Sequence, residues 1–152
     1  MFQLNLPQYD FRIKRSSKGF LIFDSYRRRY VALTPEEWVR QNFLRFLTEE
    51  KTYPAARFSV EQTLKVNGMV KRCDAVLFDK DANACLILEF KAPHVAISQD
   101  VFDQVAVYNY RLKVQYFMVS NGLEHYACCV DKLTGRYRFL PEIPSHAALL
   151  GL

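Results

Sequence analysis

The chain has five glycines among its 152 residues, and none opens a Gly-x-x-x-x-Gly-Lys-Ser/Thr loop. That loop cradles phosphates with backbone amides and a lysine, so an ATP site of this type is excluded. No Cys-x-x-Cys pair occurs; the four cysteines are Cys73, Cys85, Cys128 and Cys129. A cysteine zinc site is therefore not expected, and neighbouring Cys128 and Cys129 must face opposite sides of a strand. The expectation is four reduced core thiols in a cytoplasmic protein. The three histidines, His94, His125 and His146, share no metal-ligand spacing. No apolar run is long enough to span a bilayer, which speaks against a membrane partner. The opening MFQLNLPQYDF has neither the basic start nor the apolar stretch of a secretory signal. No serine or cysteine stands in a recognisable nucleophile setting. Internal repeats and low-complexity linkers are absent too.

What is present is apolar and mildly basic. Half the residues are hydrophobic and 14% are aromatic, enough for a real core and against disorder. Lys and Arg outnumber Asp and Glu by 21 to 16, a net charge of +5 that is compatible with an anionic partner. Many of the cations fall in FRIKRSSKGFLIFDSYRRRYVAL: Arg12, Lys14, Arg15, Lys18, Arg27, Arg28 and Arg29. That segment reads as short strands broken at 16–19 and 24–25. Its basic cluster is either a solvated strand face or a phosphate-contacting patch.

LTPEEWVRQNFLRFLTEE predicts a helix. Thr34 caps it, Pro35 suits its first position, and Glu37 completes a capping box. Trp38, Phe43, Leu44 and Leu47 form its apolar side. ARFSVEQTLKVNGMVKRCDAVLFD alternates on both sides of Asn67-Gly68, a hairpin signal. A further strand is expected at 85–91. ISQDVFDQVAVYNYRLKV predicts a second helix capped at Ser98, and VQYFMVSNG, LEHYACCVD and RYRFL predict strands. The expected organisation is one domain over 1–152: N-terminal strands in 1–33, an αβββαβ core in 34–140, and an unassigned tail in 141–152. The fold class is α/β, in the sense of an α+β mixed sheet flanked by helices.

Charges inside the apolar strands carry the functional signal. RCDAVLFDKDANACLILEFKAP sets Asp74, Glu89 and Lys91 among buried-type residues, where a lone charge is costly. With the turn centred near Asp81-Ala82, Phe78 pairs with Cys85 and Asp74 falls opposite Glu89 on one face, provided no bulge intervenes. Opposed carboxylates repel, and a divalent cation between them reverses the sign. Lys91 lies one same-face step beyond Glu89. Two carboxylates, a cation and a lysine suit phosphodiester hydrolysis. The plain alternative is two strand-end salt bridges, Lys91 with Glu89 and Asp74 with Arg72. On the second helix Gln104 and Tyr108 share a face near Val101, Val105 and Leu112, which predicts an inward stripe holding a buried amide in need of partners. For Tyr108 the plain reading is a core tyrosine.

The series Asp74…Glu89-x-Lys91…Gln104-x-x-x-Tyr108 resembles the PD-(D/E)xK nuclease superfamily, in the branch that carries a Gln-x-x-x-Tyr helix. More closely, YVALTPEEWVRQ, KRCDAVLFD, LILEFKAP, FDQVAVYNYRL and MVSNGLEH resemble the N-terminal nuclease region of type I restriction enzyme R subunits. The resemblance spans roughly residues 30–125 and excludes the motor domains. It implies a restriction-endonuclease-like core with an N-terminal strand layer, and Mg²⁺-dependent DNA endonuclease activity in which Mn²⁺ substitutes. It implies Asp74 and Glu89 as metal ligands, aided by the Phe90 carbonyl and by Glu37 through water. Lys91 becomes the catalytic lysine, and Gln104 and Tyr108 support the site or contact substrate. For Glu37 the capping role stays equally open. Cys73 stands where the superfamily has a proline before the first aspartate. DNA is the implied partner of a stand-alone nuclease. Open alternatives are a homodimer, a separate restriction or defence subunit, and a weak or inactive nucleic-acid- or protein-binding module on the same fold.

Overall fold

In the computed structural model, which describes residues 2–151, strands β1 (Ile13–Ser16), β2 (Gly19–Asp24) and β3 (Arg29–Ala32) form an antiparallel three-stranded sheet. Helix α1 (Pro35–Glu50) follows. Then come β4 (Phe58–Val66), β5 (Met69–Phe78), β6 (Ala84–Phe90), α2 (Gln99–Leu112), β7 (Tyr116–Ser120), β8 (His125–Val130), β9 (Tyr137–Phe139) and α3 (His146–Gly151). Strands β4 to β9 form one six-stranded sheet in sequence order. Among the described strands of this sheet only β6 and β7 are parallel, and α2 is their crossover. The result is an α+β architecture with a mixed sheet, in keeping with a restriction-endonuclease-like core.

Both faces of the central strands are covered, so their sequences run almost continuously apolar. Val39, Phe43, Leu44 and Leu47 of α1 pack with Ala75, Leu77, Leu86 and Leu88 on one face. Phe102, Val105, Ala106 and Leu112 of α2 pack with Val76, Ile87, Phe117 and Cys128 on the other. Cys128 and Cys129 lie in opposite layers, as their adjacency requires, and all four cysteines are free thiols. Asn67 and Gly68 take φ of 49° and 81°, the positive pair a two-residue hairpin turn needs. Of the tail, the described residues include a short helix, α3. Tyr53 donates to the Pro144 carbonyl at 2.9 Å, and Leu149 of α3 is 1% exposed in the α1-side core. Among the described residues, no helix is long and apolar enough to cross a membrane.

Three local expectations are corrected. The Thr34 Oγ accepts the Glu37 N–H at 3.1 Å, but the Thr34 N–H donates to the Ala32 carbonyl, so the capping box is only half made. Ser98 occupies the N-cap of α2 without a side-chain capping bond. The Phe78–Cys85 pair does not form: Phe78 pairs with Ala84, and a bulge follows. The reason is the tight 79–83 loop, in which Asp79 Oδ1 accepts the N–H groups of Asp81 and Asn83 at 2.8 and 2.9 Å. The bulge then restores the anticipated register: Leu77 faces Leu86, Val76 faces Ile87, and Ala75 faces Leu88. The ladder ends at the Ala75–Leu88 pair, one residue short of Asp74 and Glu89.

Candidate active site

Strand pairing loosens at Asp74 on both sides. Across β4, Val60 pairs with Ala75 and Gln62 with Cys73, leaving Glu61 and Asp74 out of the ladder. Glu61 holds a left-handed φ of 51°, a strained state for a non-glycine residue. Across β6, the Asp74 carboxylate takes the place of a backbone acceptor: the Phe90 N–H donates to Asp74 Oδ2 at 2.8 Å. Cys73 and Val76 lie in the same core layer, so strict alternation is interrupted here. A cleft of about 290 Å³ opens beside the splay, lined by Ala32, Glu37, Arg40, Glu61, Asp74 and Phe90 among others.

Glu89 leads from this splay toward α2. Its Oε1 lies 3.3 Å from the Lys71 ammonium, which sits 4.8 Å from the centre of the Tyr108 ring. That oxygen is buried and has no aligned hydrogen-bond donor. Burial, and then the Asp74 charge, push the Glu89 carboxyl up to about 7, while Lys71 and Lys91 pull the other way. Asp74, Glu89, Lys71 and Lys91 thus form one electrostatic cluster. Neither of the simple strand-end bridges forms: Glu89 pairs with Lys71, and Arg72 pairs with Glu61. Lys91 makes no ion pair among the described residues, and its N–H donates to the Ser120 carbonyl at 2.9 Å.

Glu37 stands on the α1 side of the cleft, fully engaged. Its Oε1 accepts from Arg40 and, at 2.7 Å, from Arg27, and its Oε2 accepts from Gln41 at 3.0 Å. Burial pushes its pKa up, but the hydrogen bonds and charges of Arg40, Gln41 and Arg27 outweigh it and hold the carboxyl below the usual range. Arg27 also pairs with Asp24 and, at 3.2 Å, with Glu61. Arg27 therefore leaves the basic cluster of free cations; Arg28 and Arg29 are exposed.

Gln104 is exposed, which corrects the buried amide expected there. The inward stripe of α2 runs through Phe102, Val105, Ala106, Asn109 and Leu112, one position round from Gln104. The buried amide of this helix is Asn109, which donates to the Val114 and Tyr116 carbonyls at 3.1 and 2.8 Å and secures the helix end. Tyr108 is half-buried beside Lys71. Lys71 and Glu61 are the participants that sequence reasoning missed. Lys71 could have been found, because it shares a strand face with Cys73 two residues on; Glu61 carries no spacing signal.

Among the described residues, no three His, Cys, Asp or Glu side chains converge on one point. Two hard carboxylates, one of them desolvated and short of donors, suit an ion that keeps most of its waters. His125 is not a ligand candidate: its Nδ1 lies 2.7 Å from Ser120 Oγ and its Nε2 2.9 Å from the Asn5 carbonyl.

The raised Glu89 carboxyl makes a stability prediction for metal-free protein. Between its ordinary pKa of 4.5 and about 7 the folded chain binds the Glu89 proton and the unfolded chain does not. Stability from this group is therefore lost as pH rises through that window. His125, whose pKa is lowered by burial, tilts the upper part of the window the other way. The readout is accordingly a difference. The stability of Glu89→Gln relative to wild type should rise from pH 4.5 to 7 in EDTA. A flat difference would place the Glu89 carboxyl in its ordinary range.

A family model described as the type I restriction enzyme R protein N terminus (HSDR_N) matches residues 35–144. The match begins with α1, includes Glu37, Asp74, Glu89, Lys91, Gln104 and Tyr108, and leaves out the three-stranded sheet. No curated protein matches the chain.

Proposed function

The chain belongs to the family of type I restriction enzyme R protein N termini, and on that premise we propose that it is a metal-dependent DNA endonuclease that hydrolyses phosphodiester bonds. The observation that carries the reading is the splay at Asp74. It sets one carboxylate on the β5–β6 seam beside a second, desolvated one, with two lysines around them. Asp74 and Glu89 would hold Mg²⁺, with Mn²⁺ able to substitute and the Phe90 carbonyl as a further oxygen donor. The ion, when bound, supplies a Lewis acid for the phosphate and lowers the pKa of water.

The remaining work falls to the chain's own residues. Lys91 positions the attacking water and offsets charge developing on phosphorus. Lys71 balances Glu89 before the ion arrives. Arg40 and Arg27 keep Glu37 ionised and fix the α1 wall of the cleft. Gln104 and Tyr108, exposed and half-buried on α2, would meet substrate or support the site. A separate motor or specificity subunit, or a second copy of the chain, is compatible with this assignment.

One observation favours a second reading, an inert nucleic-acid-binding module: Lys71 already neutralises Glu89 where a cation would act. The test is incubation with plasmid and with single-stranded DNA in Mg²⁺, in Mn²⁺ and in EDTA. Cleavage that EDTA abolishes supports the nuclease, and inertness under every condition moves the assignment to the binding module. Calorimetry should also show Mg²⁺ binding that Asp74→Asn weakens. Unchanged binding in that variant would place the ion elsewhere.

A further inference from the structure

We propose that the outward face of the N-terminal sheet is a docking surface for an unpaired DNA strand, which passes from the catalytic cleft across β3, β2 and β1. The polymer's identity rests on the nuclease reading; the surface is argued from the sheet itself.

The register sorts these strands into two faces. Phe23 pairs with Tyr30, and the Phe23 N–H donates to the Arg12 carbonyl at 2.9 Å, so Arg12, Phe23 and Tyr30 form one cross-strand row. Lys14, Leu21 and Ala32 form another row on the same face. The opposite face carries Ile22 and Asp24, both essentially inaccessible, and is therefore the side laid against the body. On the outward face each ring has a cation over it. The Arg12 guanidinium lies 4.6 Å from the Phe23 centroid, and the Lys14 ammonium 4.0 Å from that of Tyr30. Both cations are exposed and both rings are half-buried.

A merely solvated face needs cations but no rings beneath them. Rings for base stacking and cations for the backbone are the two contacts that bind single strands. A duplex keeps its bases stacked and would leave the rings idle.

Position strengthens the case. Ala32, at the end of β3, lines the catalytic cleft together with Asp74. Arg12 and Phe23 line the mouth of a second cleft, of about 770 Å³, in which Arg28 and Arg45 stand with the acids Asp10 and Asp24. The face therefore joins the two clefts. Tyr30 stands about 6.6 Å along the strand from Ala32, and each strand crossed adds about 4.8 Å. Arg27 takes no part, being held by Asp24, Glu37 and Glu61.

The experiment is fluorescence anisotropy in EDTA, so that binding is read without cleavage. The probes are an oligo(dT) strand and a blunt duplex of equal length. Wild type should prefer oligo(dT). Arg12→Gln/Lys14→Gln should weaken that binding about tenfold and reduce the salt slope by about 1.4, the share of two phosphate contacts on a single strand. Tyr30→Leu should weaken oligo(dT) binding several-fold and leave duplex binding unchanged. Lys80→Gln/Lys132→Gln, with the same change in net charge on other exposed loops, should bind like wild type, and melting curves should show every variant folded. Wild-type affinity in both the Arg12/Lys14 and the Tyr30 variants would overturn the surface and leave the nuclease reading standing. A preference for duplex that Tyr30→Leu does not alter would overturn the unpaired strand as occupant. Failure of wild type to bind either probe would overturn the surface, and the cleavage assay in Mg²⁺ and Mn²⁺ would decide the nuclease reading separately.

Discussion

Glu37→Ala should destabilise the fold by about 3 kcal/mol, the lower end of the cost of breaking a buried ion pair. In a chain of this size that corresponds to roughly 10 °C in Tm. Glu37 is 6% exposed, and its two oxygens answer Arg27, Arg40 and Gln41. Removing the carboxylate leaves Arg40, itself 7% exposed, with Glu61 at 3.5 Å as its ion-pair partner and the Asp74 carbonyl at 3.4 Å. Arg27 keeps Asp24 and Glu61, which is why the lower end of the range applies. The magnitude separates three roles. A capping acid would cost about 1 kcal/mol. An acid that only assists a metal through water would cost activity and almost no stability. A counter-ion for two arginines costs several times the capping value. Urea denaturation decides among them, and a loss of 1 kcal/mol or less would sink the counter-ion role. Glu37→Gln should fall between wild type and alanine, since the amide oxygen can still accept one bond.

Glu37 also shows what a linear sequence reveals. Its place at the start of a helix was legible, because Thr34, Pro35 and the apolar spacing of Phe43, Leu44 and Leu47 are local signals. Its partners were not, since Arg27 lies ten residues upstream in the β2–β3 turn and only the tertiary fold brings them together. For the same reason a run such as Arg27–Arg28–Arg29 looks uniform in sequence, although one of its members is sequestered and two are free. The hairpin at Asn67-Gly68 was legible because those residue types admit positive φ. The bulge at Cys85 was not: it depends on how Asp79 folds the loop back on itself, and apolar alternation carries no trace of that. The register beyond the bulge could still be anticipated, because each one-residue slip would turn an apolar face outward. On α2 the periodicity was sound but its phase was one residue off, which exchanged the exposed Gln104 for the buried Asn109.

Lys91→Ala should abolish most cleavage, by ~10²–10³ in rate, while the fold and DNA affinity persist. The separation follows from how Lys91 is held. Its backbone is fixed by the bond from its N–H to the Ser120 carbonyl, which alanine retains. Its side chain has no ion-pair partner to leave stranded among the described residues, unlike that of Lys71, which pairs with Glu89. Truncation therefore deletes one positive charge from the edge of the carboxylate cluster and leaves the sheet intact. The charge matters most when the phosphate gains its extra negative charge, so its loss should appear in kcat and hardly in KM. A fall in affinity with no change in kcat would make Lys91 a binding residue. Inert wild type, with Lys91→Ala altering affinity alone, would establish the module without catalysis. Lys91→Arg sharpens the test. Arginine keeps the charge, but its planar, permanently protonated fork is a poor substitute for an ammonium that must orient one water. A lysine acting on the water should not be rescued by it, whereas a lysine acting only as a counter-charge should be.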